Sequence, residues 1–173
     1  MKKIIPLLMA VYFTVGIASG QNLLQNGNFN GSLTGTWNTW TYGGGWVGPT
    51  TTPADEFDGT ACVYMGGNDA AGAGLNQIVF GLPNVPYTIS CDSAVNNWWW
   101  PAEEMRLFFL DGNDVILASS VTNCAAGITA YDVGTPWSNY TMTATSPAGT
   151  VKVKVEFACP AGHGTIRFDN AVL

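Results

Sequence analysis

The side chains of this sequence that are best suited to binding chemistry are aromatic. The chain has seven tryptophans and six tyrosines, and only 10% of its residues are charged. Two groups stand out: Trp98, Trp99 and Trp100 are consecutive, whereas Trp40, Tyr42 and Trp46 fall in a glycine-rich stretch. An exposed ring offers a flat apolar face that stacks on other apolar faces. Because successive side chains of a strand point to opposite faces, at least one ring of the tryptophan triplet is predicted to be exposed.

Packing is the competing interpretation of these rings. Trp98 and Trp100 would then close the core at a sheet edge, and Trp37 or Trp40 would pack inside it. A third candidate surface lies in the strand predicted at 105–110, where Arg106 and Phe108 share one face with Glu104. That face either lines a binding groove or is a solvated outer face with one covered phenylalanine.

The sequence offers little for catalysis. His163 is the single histidine and lies in a glycine-rich turn, and no Gly-x-Ser-x-Gly pattern is present. Glu103 and Glu104 are adjacent acids, whereas the two carboxyls of a retaining glycosidase lie about 5 Å apart across the bond they cleave. Adjacent strand residues point to opposite faces, so these two carboxyls are not expected to act together. We predict that the protein is not an enzyme.

The apolar pattern along the chain predicts strands rather than helices. Apolar and polar residues alternate in 87–95 and 137–144, and turn residues separate such segments. The cleanest inward stripe is Val151, Val153, Val155 and Phe157, with the charged residues between them facing outward. Residues 31–53 are predicted to be a loop because glycine interrupts them. We expect eight or nine strands in a single all-β domain over residues 21–173.

Residues 1–20 are predicted to be a signal peptide. Lys2 and Lys3 precede the apolar stretch 4–17, and small residues follow at 18–20. The alternative is an N-terminal membrane anchor, although this stretch is shorter than the roughly 20 residues that span a bilayer. Without the leader, four basic residues face twelve acidic ones, which lowers the net charge from −6 to −8. This balance predicts a secreted protein whose partners are neither nucleic acid nor anionic membrane.

Four cysteines remain in the mature chain: Cys62, Cys91, Cys124 and Cys159. An even number in an exported protein predicts two disulfides, for which three pairings exist. Their spacing of about 30 residues is unlike that of zinc ligands, which come in close pairs. Cys124 with Cys159 is the pairing we favour, because both lie near strand ends in the second half of the chain.

Four motifs, taken together and in order, resemble a known family. They are the opening Asn22-Leu23-Leu24-Gln25-Asn26-Gly27-Asn28-Phe29, the pair Leu75-Asn76-Gln77-Ile78 and Pro86-Tyr87-Thr88-Ile89-Ser90, the strand Trp137-Ser138-Asn139-Tyr140-Thr141, and the closing Phe168-Asp169-Asn170-Ala171-Val172-Leu173. This series is similar to that of the carbohydrate-binding modules of the CenC-like group, families 4, 9, 16 and 22. The resemblance spans residues 22–173 and implies a jelly-roll β-sandwich of two antiparallel sheets whose chain ends lie side by side.

The resemblance also implies a structural Ca²⁺ that ties the two ends together. The family often has Glu after the opening Phe, where this chain has Asn30, and its closing acidic pair is here Asp169-Asn170. Asn30 and Asp169 would then be joined by Asp55, Glu56 or Asp58. Ca²⁺ takes about six to eight oxygen ligands, and fewer charges weaken its site. The alternative is an acidic turn that faces water.

These observations lead to two hypotheses about function. The first is a secreted, non-catalytic protein that stacks exposed rings on a polysaccharide chain of the β-glucan or xylan type, because sugar rings present flat C–H faces. Its binding residues would come from the two aromatic groups together with Arg106 and Phe108. The second is an extracellular structural or adhesive subunit that uses the same jelly roll for self-association. A row of exposed rings beside polar groups favours the first, and a broad apolar patch or long exposed strand edge favours the second.

Overall fold

The structure is a computed structural model that describes residues 21–50, 60–67, 71–95, 103–124, 136–160 and 165–173. These residues form ten strands and no helix. The strands are β1 Asn38–Tyr42, β2 Trp46–Thr50, β3 Cys62–Gly66, β4 Gly72–Phe80, β5 Pro86–Val95, β6 Glu104–Leu110, β7 Ile116–Asn123, β8 Ser138–Thr145, β9 Lys152–Cys159 and β10 Thr165–Val172. The described part of the chain therefore offers no helix long and apolar enough to cross a membrane.

Two five-stranded antiparallel sheets pack face to face. Sheet A has the order β1-β4-β9-β6-β7, and sheet B has the order β2-β3-β10-β5-β8. Consecutive strands repeatedly alternate between the two sheets, as in a jelly roll. The predicted fold class, a single-domain all-β sandwich of two antiparallel sheets, is confirmed.

The core lies between the two sheets. Every second side chain of a strand points into it, because successive side chains point to opposite faces of the sheet. Along β5, Tyr87, Ile89 and Cys91 are buried, and the residues between them are less so. Along β9, Val153 and Val155 are buried as predicted. Val151 is instead 37% exposed, because it precedes β9 and lies outside the packed part of the sheet.

The prediction of a continuous loop over 31–53 is wrong in part. Residues Asn38–Tyr42 and Trp46–Thr50 form β1 and β2, which are rich in β-forming Thr, Trp and Tyr. Gly43, Gly44 and Gly45 form the turn between them, and Gly48 lies within β2. At Gly45 a Cβ atom would lie 2.2 Å from the carbonyl oxygen of Gly72, so only glycine fits there. The turn thus moves the chain from the edge of sheet A to the edge of sheet B.

The two ends of the described chain are joined, as predicted. The side-chain amide of Asn22 donates to the Ala171 carbonyl at 2.9 Å and accepts the Leu173 N–H at 3.0 Å. The Leu23 N–H donates to the Leu173 carbonyl at 3.0 Å. Phe29, the last residue of the opening motif, is fully buried in the core.

Gln77, the glutamine of the Leu75-Asn76-Gln77-Ile78 motif on β4, anchors the opening segment of the chain. Its side chain is buried and points to the opening segment. The Oε1 atom accepts the Gln25 N–H at 2.7 Å, and the Nε2 atom donates to the carbonyls of Gln25 at 3.0 Å and Thr36 at 2.9 Å. One side chain therefore satisfies three backbone groups that no strand partner reaches.

One polar contact joins the sheets inside the core. The Ser93 hydroxyl on β5 donates to Glu103 Oε2 at 2.6 Å, and Glu103 is fully buried just before β6. Its other oxygen, Oε1, has no hydrogen-bond partner among the described residues. Burial raises the pKa of Glu103 well above its ordinary value, since the charged carboxylate loses water, and the Ser93 hydrogen bond opposes this only in part.

We expect Glu103→Gln to change the pH dependence of stability. A carboxyl whose pKa is raised by folding contributes most below the ordinary glutamate pKa of about 4.3, and that contribution is lost as pH rises toward the folded value. The wild type loses this contribution as pH rises and the variant does not. The unfolding free energy of the variant minus that of the wild type should therefore increase by at least about 1 kcal/mol from pH 4 to pH 8. Urea unfolding at several pH values checks this, with Glu104→Gln as the control, and a difference that does not change with pH would contradict it.

Candidate functional site

The outer face of sheet A collects most of the predicted binding residues that the structure describes. Met105, Leu107 and Phe109 are buried in the core, so the alternate residues of β6 point away from it. These are Glu104, Arg106 and Phe108, as predicted. Trp40 and Tyr42 lie on the same face because β1 pairs in register with β4 of this sheet.

The rings of Trp40 and Tyr42 form a parallel pair at one edge of this face. Their planes are within 4° of each other and their centroids are 5.9 Å apart. Each ring covers the glycine opposite it on β4: a Cβ atom on Gly74 would lie 2.5 Å from the indole, and one on Gly72 would lie 2.8 Å from the phenol. Glycine at these two positions therefore fixes how the rings lie.

A row of polar side chains crosses the sheet beside the rings. The strand register aligns Asn38, Asn76, Glu156 and Arg106 across β1, β4, β9 and β6. Val121 of β7 ends the row. The two amides carry both donors and acceptors, and the guanidinium carries donors only. A ligand on this face would thus contact aromatic rings and hydrogen-bonding groups that are two residues apart along β1.

Ion pairs hold the charged members of this face in place. Arg106 Nη1 lies 2.8 Å from Glu156 Oε1, and its Nε donates to Glu104 Oε2 at 2.6 Å. Lys154 Nζ lies 2.8 Å from Glu156 Oε2 and 4.8 Å from the centroid of the Phe108 ring. Glu156 is buried although it points outward, because these two cations cover it. The predicted outward position of Glu156 is right, and its burial was not expected.

The network also raises the pKa of Arg106. Burial lowers the pKa of the guanidinium, but hydrogen bonds to Glu104 and Glu156 outweigh this effect and leave the pKa raised. The side chain is therefore a fixed cation between two carboxylates. With Lys154 included, two positive and two negative groups balance, so this part of the face has no net charge.

The far end of the same face is apolar. Phe80 is 76% exposed and Ile78 is 44% exposed on β4, and both line a cavity of about 370 Å³ beside the opening segment. Gln25 and Thr36 contribute polar groups to its wall. Sequence reasoning missed this end, although the alternation of β4 places Ile78 and Phe80 with Asn76.

Trp46 does not belong to this surface. It pairs with Gly66 at the start of β2 in sheet B, and the next residue, Val47, packs against the core. Trp46 therefore points to the outer face of sheet B, where its ring covers Gly66. The prediction that it shares a site with Trp40 and Tyr42 is wrong, because the turn between β1 and β2 changes sheets.

Other candidates lie outside the described residues. Trp98, Trp99 and Trp100 are among them, and so are residues 1–20, Asp55, Glu56, Asp58 and His163. The remaining metal candidates are Asn30 and Asp169. Asp169 is fully buried with Oδ1 accepting the Asn170 N–H at 2.7 Å, and Asn30 Oδ1 accepts the Ala61 N–H at 3.0 Å.

These contacts fit a calcium site only in part. Asp169 supplies a buried carboxylate, but the side-chain oxygen of Asn30 is already used by a backbone N–H. Within the described ranges no three His, Cys, Asp or Glu side chains are grouped so as to hold a metal ion. Calcium binding therefore stays a prediction.

The two predicted disulfides are not formed. Cys62, Cys91, Cys124 and Cys159 are all buried, and none is in a disulfide. The favoured pair, Cys124 with Cys159, is also wrong on geometric grounds. These residues lie at the ends of β7 and β9, and β6 lies between those strands. Two strand spacings are about 10 Å, whereas the Cα atoms of a disulfide lie within about 7 Å.

Comparison with solved structures places this fold among known ones. A family 16 carbohydrate-binding module matches 87% of this chain and 98% of its own, with 18% identity and a TM-score of 0.63. The xylan-binding domain CBM22-1 from Paenibacillus barcinonensis Xyn10C matches 84% of this chain and 88% of its own, with 17% identity and a TM-score of 0.56. The fold is the jelly roll of carbohydrate-binding modules.

The same fold also occurs inside larger proteins. The enzymatically active domain of tailspike protein 4 of bacteriophage CBA120 matches 87% of this chain, with 17% identity and a TM-score of 0.67. This chain covers only 21% of that protein. No family model and no curated protein matches the sequence. At these identities the likeness establishes the fold, and the chemistry of the site must come from its own residues.

We expect Glu156→Ala to destabilise the protein by about 2 kcal/mol. The substitution leaves Arg106 and Lys154 without their shared, buried partner, and their partial exposure keeps the loss below that of a fully buried pair. Urea unfolding measures the change. Lys152→Ala is the matched control, because it removes the ion pair with Asp114, which is 62% exposed, and its loss should stay within about 0.5 kcal/mol. Equal effects of the two substitutions would contradict this account.

Proposed function

We propose that the protein is a non-catalytic carbohydrate-binding module that holds a polysaccharide on the outer face of sheet A. The observation that carries the proposal is the parallel ring pair of Trp40 and Tyr42 beside the amides of Asn38 and Asn76. A sugar ring has apolar C–H faces that stack on aromatic rings and hydroxyls at its rim that pair with amides. This face offers both kinds of group side by side.

The charges of the site support a neutral glycan. Arg106 and Lys154 are each paired with a carboxylate, so neither is left to attract an anionic sugar. The mature chain is acidic overall, which further disfavours polyanions. A neutral chain of the β-glucan or xylan type meets these conditions. The similarity to a xylan-binding domain supports the same choice.

Export and calcium form part of the proposal. A polysaccharide of this class lies outside the cell, which agrees with the leader-like pattern of residues 1–20. Asp169 would contribute to a Ca²⁺ site that joins the last strand to the opening segment. Such an ion would act on the fold and would not contact the sugar, because Asp169 belongs to sheet B.

Self-association is a second candidate, favoured by β7. This strand forms an edge of sheet A and carries no charged residue or proline that would discourage pairing. Ile116 is 57% exposed, Leu117 40% and Val121 54%. An edge of this kind suits an adhesive or structural subunit.

We expect Trp40→Ala and Tyr42→Ala each to weaken glycan binding about 10-fold, equivalent to about 1.4 kcal/mol, through loss of stacking. Affinity gels containing β-glucan or xylan measure the effect. Trp46→Ala is the matched control, since it removes a ring of the same kind from the outer face of sheet B. Its retention should equal that of the wild type.

Two outcomes would overturn the proposal. If Trp46→Ala reduced binding as much as Trp40→Ala, the site would not be on sheet A. If the wild type bound no glycan and instead formed oligomers that Val121→Lys dissolved, the self-association function would replace it.

We expect EDTA to lower the melting temperature of the wild type if calcium joins the chain ends, because a ligand that binds only the folded state stabilises it. Differential scanning calorimetry with EDTA and with added Ca²⁺ measures this. Asp169→Asn should remove the response to calcium. A melting temperature that EDTA leaves unchanged would reject the ion.

A further inference from the structure

The outer face of β4 carries a line of apolar surfaces that follows the whole length of the strand. Leu75 and Gln77 are buried, so the alternate residues of β4 point outward. The rings of Trp40 and Tyr42 cover the first two of these residues, which are glycines, and the last two are exposed. In order, the outward residues are Gly72, Gly74, Asn76, Ile78 and Phe80.

Beyond its middle, β4 borders a cavity instead of β1. The pairing of β1 with β4 ends at Asn38 opposite Asn76. Past that pair, the opening segment lies beside β4 and leaves the cavity of about 370 Å³ that Ile78 and Phe80 line. Gln25, which is exposed, contributes to the wall, and its side-chain amide carries both donors and acceptors. Apolar surface and an amide therefore occur together here, as they do beside the ring pair.

The line that crosses the sheet is different, because paired charges occupy it. From Asn76 it passes Glu156 and Arg106 and ends at Val121. Glu156 is buried, and each of its two carboxylate oxygens lies 2.8 Å from a cation. A sugar placed there would compete with these ion pairs for the same donors and acceptors. The line along β4 contains no charged residue, so a sugar meets no such competition there.

The strand beside this line also suits a neutral chain. The register places Lys154 of β9 beside Ile78 and Lys152 beside Phe80. Each of these lysines is in an ion pair with a carboxylate, at 2.8 and 2.7 Å respectively. Because these pairs balance in charge, an anionic chain would gain little at this end of β4.

We propose that the glycan chain lies along β4 rather than across sheet A, and that Ile78 and Phe80 form a second contact region for it. This inference rests on the proposed function, because it extends the same site. The nine residues of β4 span roughly 27 Å in an extended strand. A β-1,4-linked chain suits such a line, since its sugars follow one another along a straight axis. The two ring planes are parallel to within 4°, which suits successive sugars whose flat faces are also parallel.

Chain length should therefore decide whether Phe80 contributes to binding. A β-1,4-linked trisaccharide is too short to reach from the ring pair to Phe80, whereas a hexasaccharide is long enough. We expect the wild type to bind the hexasaccharide at least about 5-fold more tightly than the trisaccharide. Phe80→Ala should remove most of this gain and leave the affinity for the trisaccharide unchanged, whereas Trp40→Ala should weaken both. Isothermal titration calorimetry with oligosaccharides of glucose and of xylose measures these affinities.

Two variants serve as controls. Val121→Ala shortens an exposed side chain at the end of the line that crosses the sheet, and it should change neither affinity. Phe80→Tyr keeps a ring at the far end of β4 and should keep the gain. Because Phe80 is 76% exposed, its replacement leaves the core intact, and a melting curve of each variant checks this.

Three results would overturn the inference: equal affinity of the wild type for the two lengths, a gain that Phe80→Ala leaves intact, or a gain that Val121→Ala removes. The last result would place the chain across the sheet. A wild type that binds no oligosaccharide of either series would overturn the proposed function as well. If Trp40→Ala weakens binding and Phe80→Ala does not, the proposed function stands and the inference alone is rejected.

Discussion

The alternation of side chains along the central strands of sheet A is the constraint on which the structure depends. β9 pairs with both β4 and β6, and its inner residues Val153, Val155 and Phe157 are fully buried. Burial of one face fixes the register, because a shift of one residue would turn every apolar side chain toward solvent. The opposite face of the same strands is thereby fixed as well. The candidate site is therefore the outer face of the same strands whose inner face forms the core.

This arrangement explains how a chain with only 10% charged residues holds its charged groups in place. Glu156 lies between two cations that come from β6 and from its own strand, and it is buried by them rather than by the core. Each long side chain is held at its charged end, which reduces the conformational entropy that a bound ligand would have to remove. The ring pair is held differently. It rests on glycines of β4, which leave the space that the rings fill.

Among the described residues, two side-chain contacts that join the sheets through the core lie near one another. The hydrogen bond of Ser93 to Glu103 and the sulfur contact of Cys91 with Met105 both connect β5 to the strand β6 of sheet A or to the residue just before it. At the other side of the sandwich, Asn22 and Gln77 anchor the opening segment by hydrogen bonds to the backbone. Apolar packing supplies the cohesion between the sheets, and these contacts fix their relative position.

The sequence by itself determined the fold class, most of the strands and the joined ends, since each follows from local signals. Alternation marks strands such as β5 and β9, and the opening and closing motifs share one pattern with a known fold. It also determined that Arg106 and Phe108 share a face, because parity within one strand is a local property.

Tertiary structure alone decided which strands are neighbours. It placed Trp40 and Tyr42 beside the amides of Asn38 and Asn76, sent Trp46 to the other sheet, buried Glu156 under two cations and brought Cys91 to Met105. Those contacts join residues far apart in the chain, and only the pairing of the strands into sheets and the packing of the two sheets bring them together.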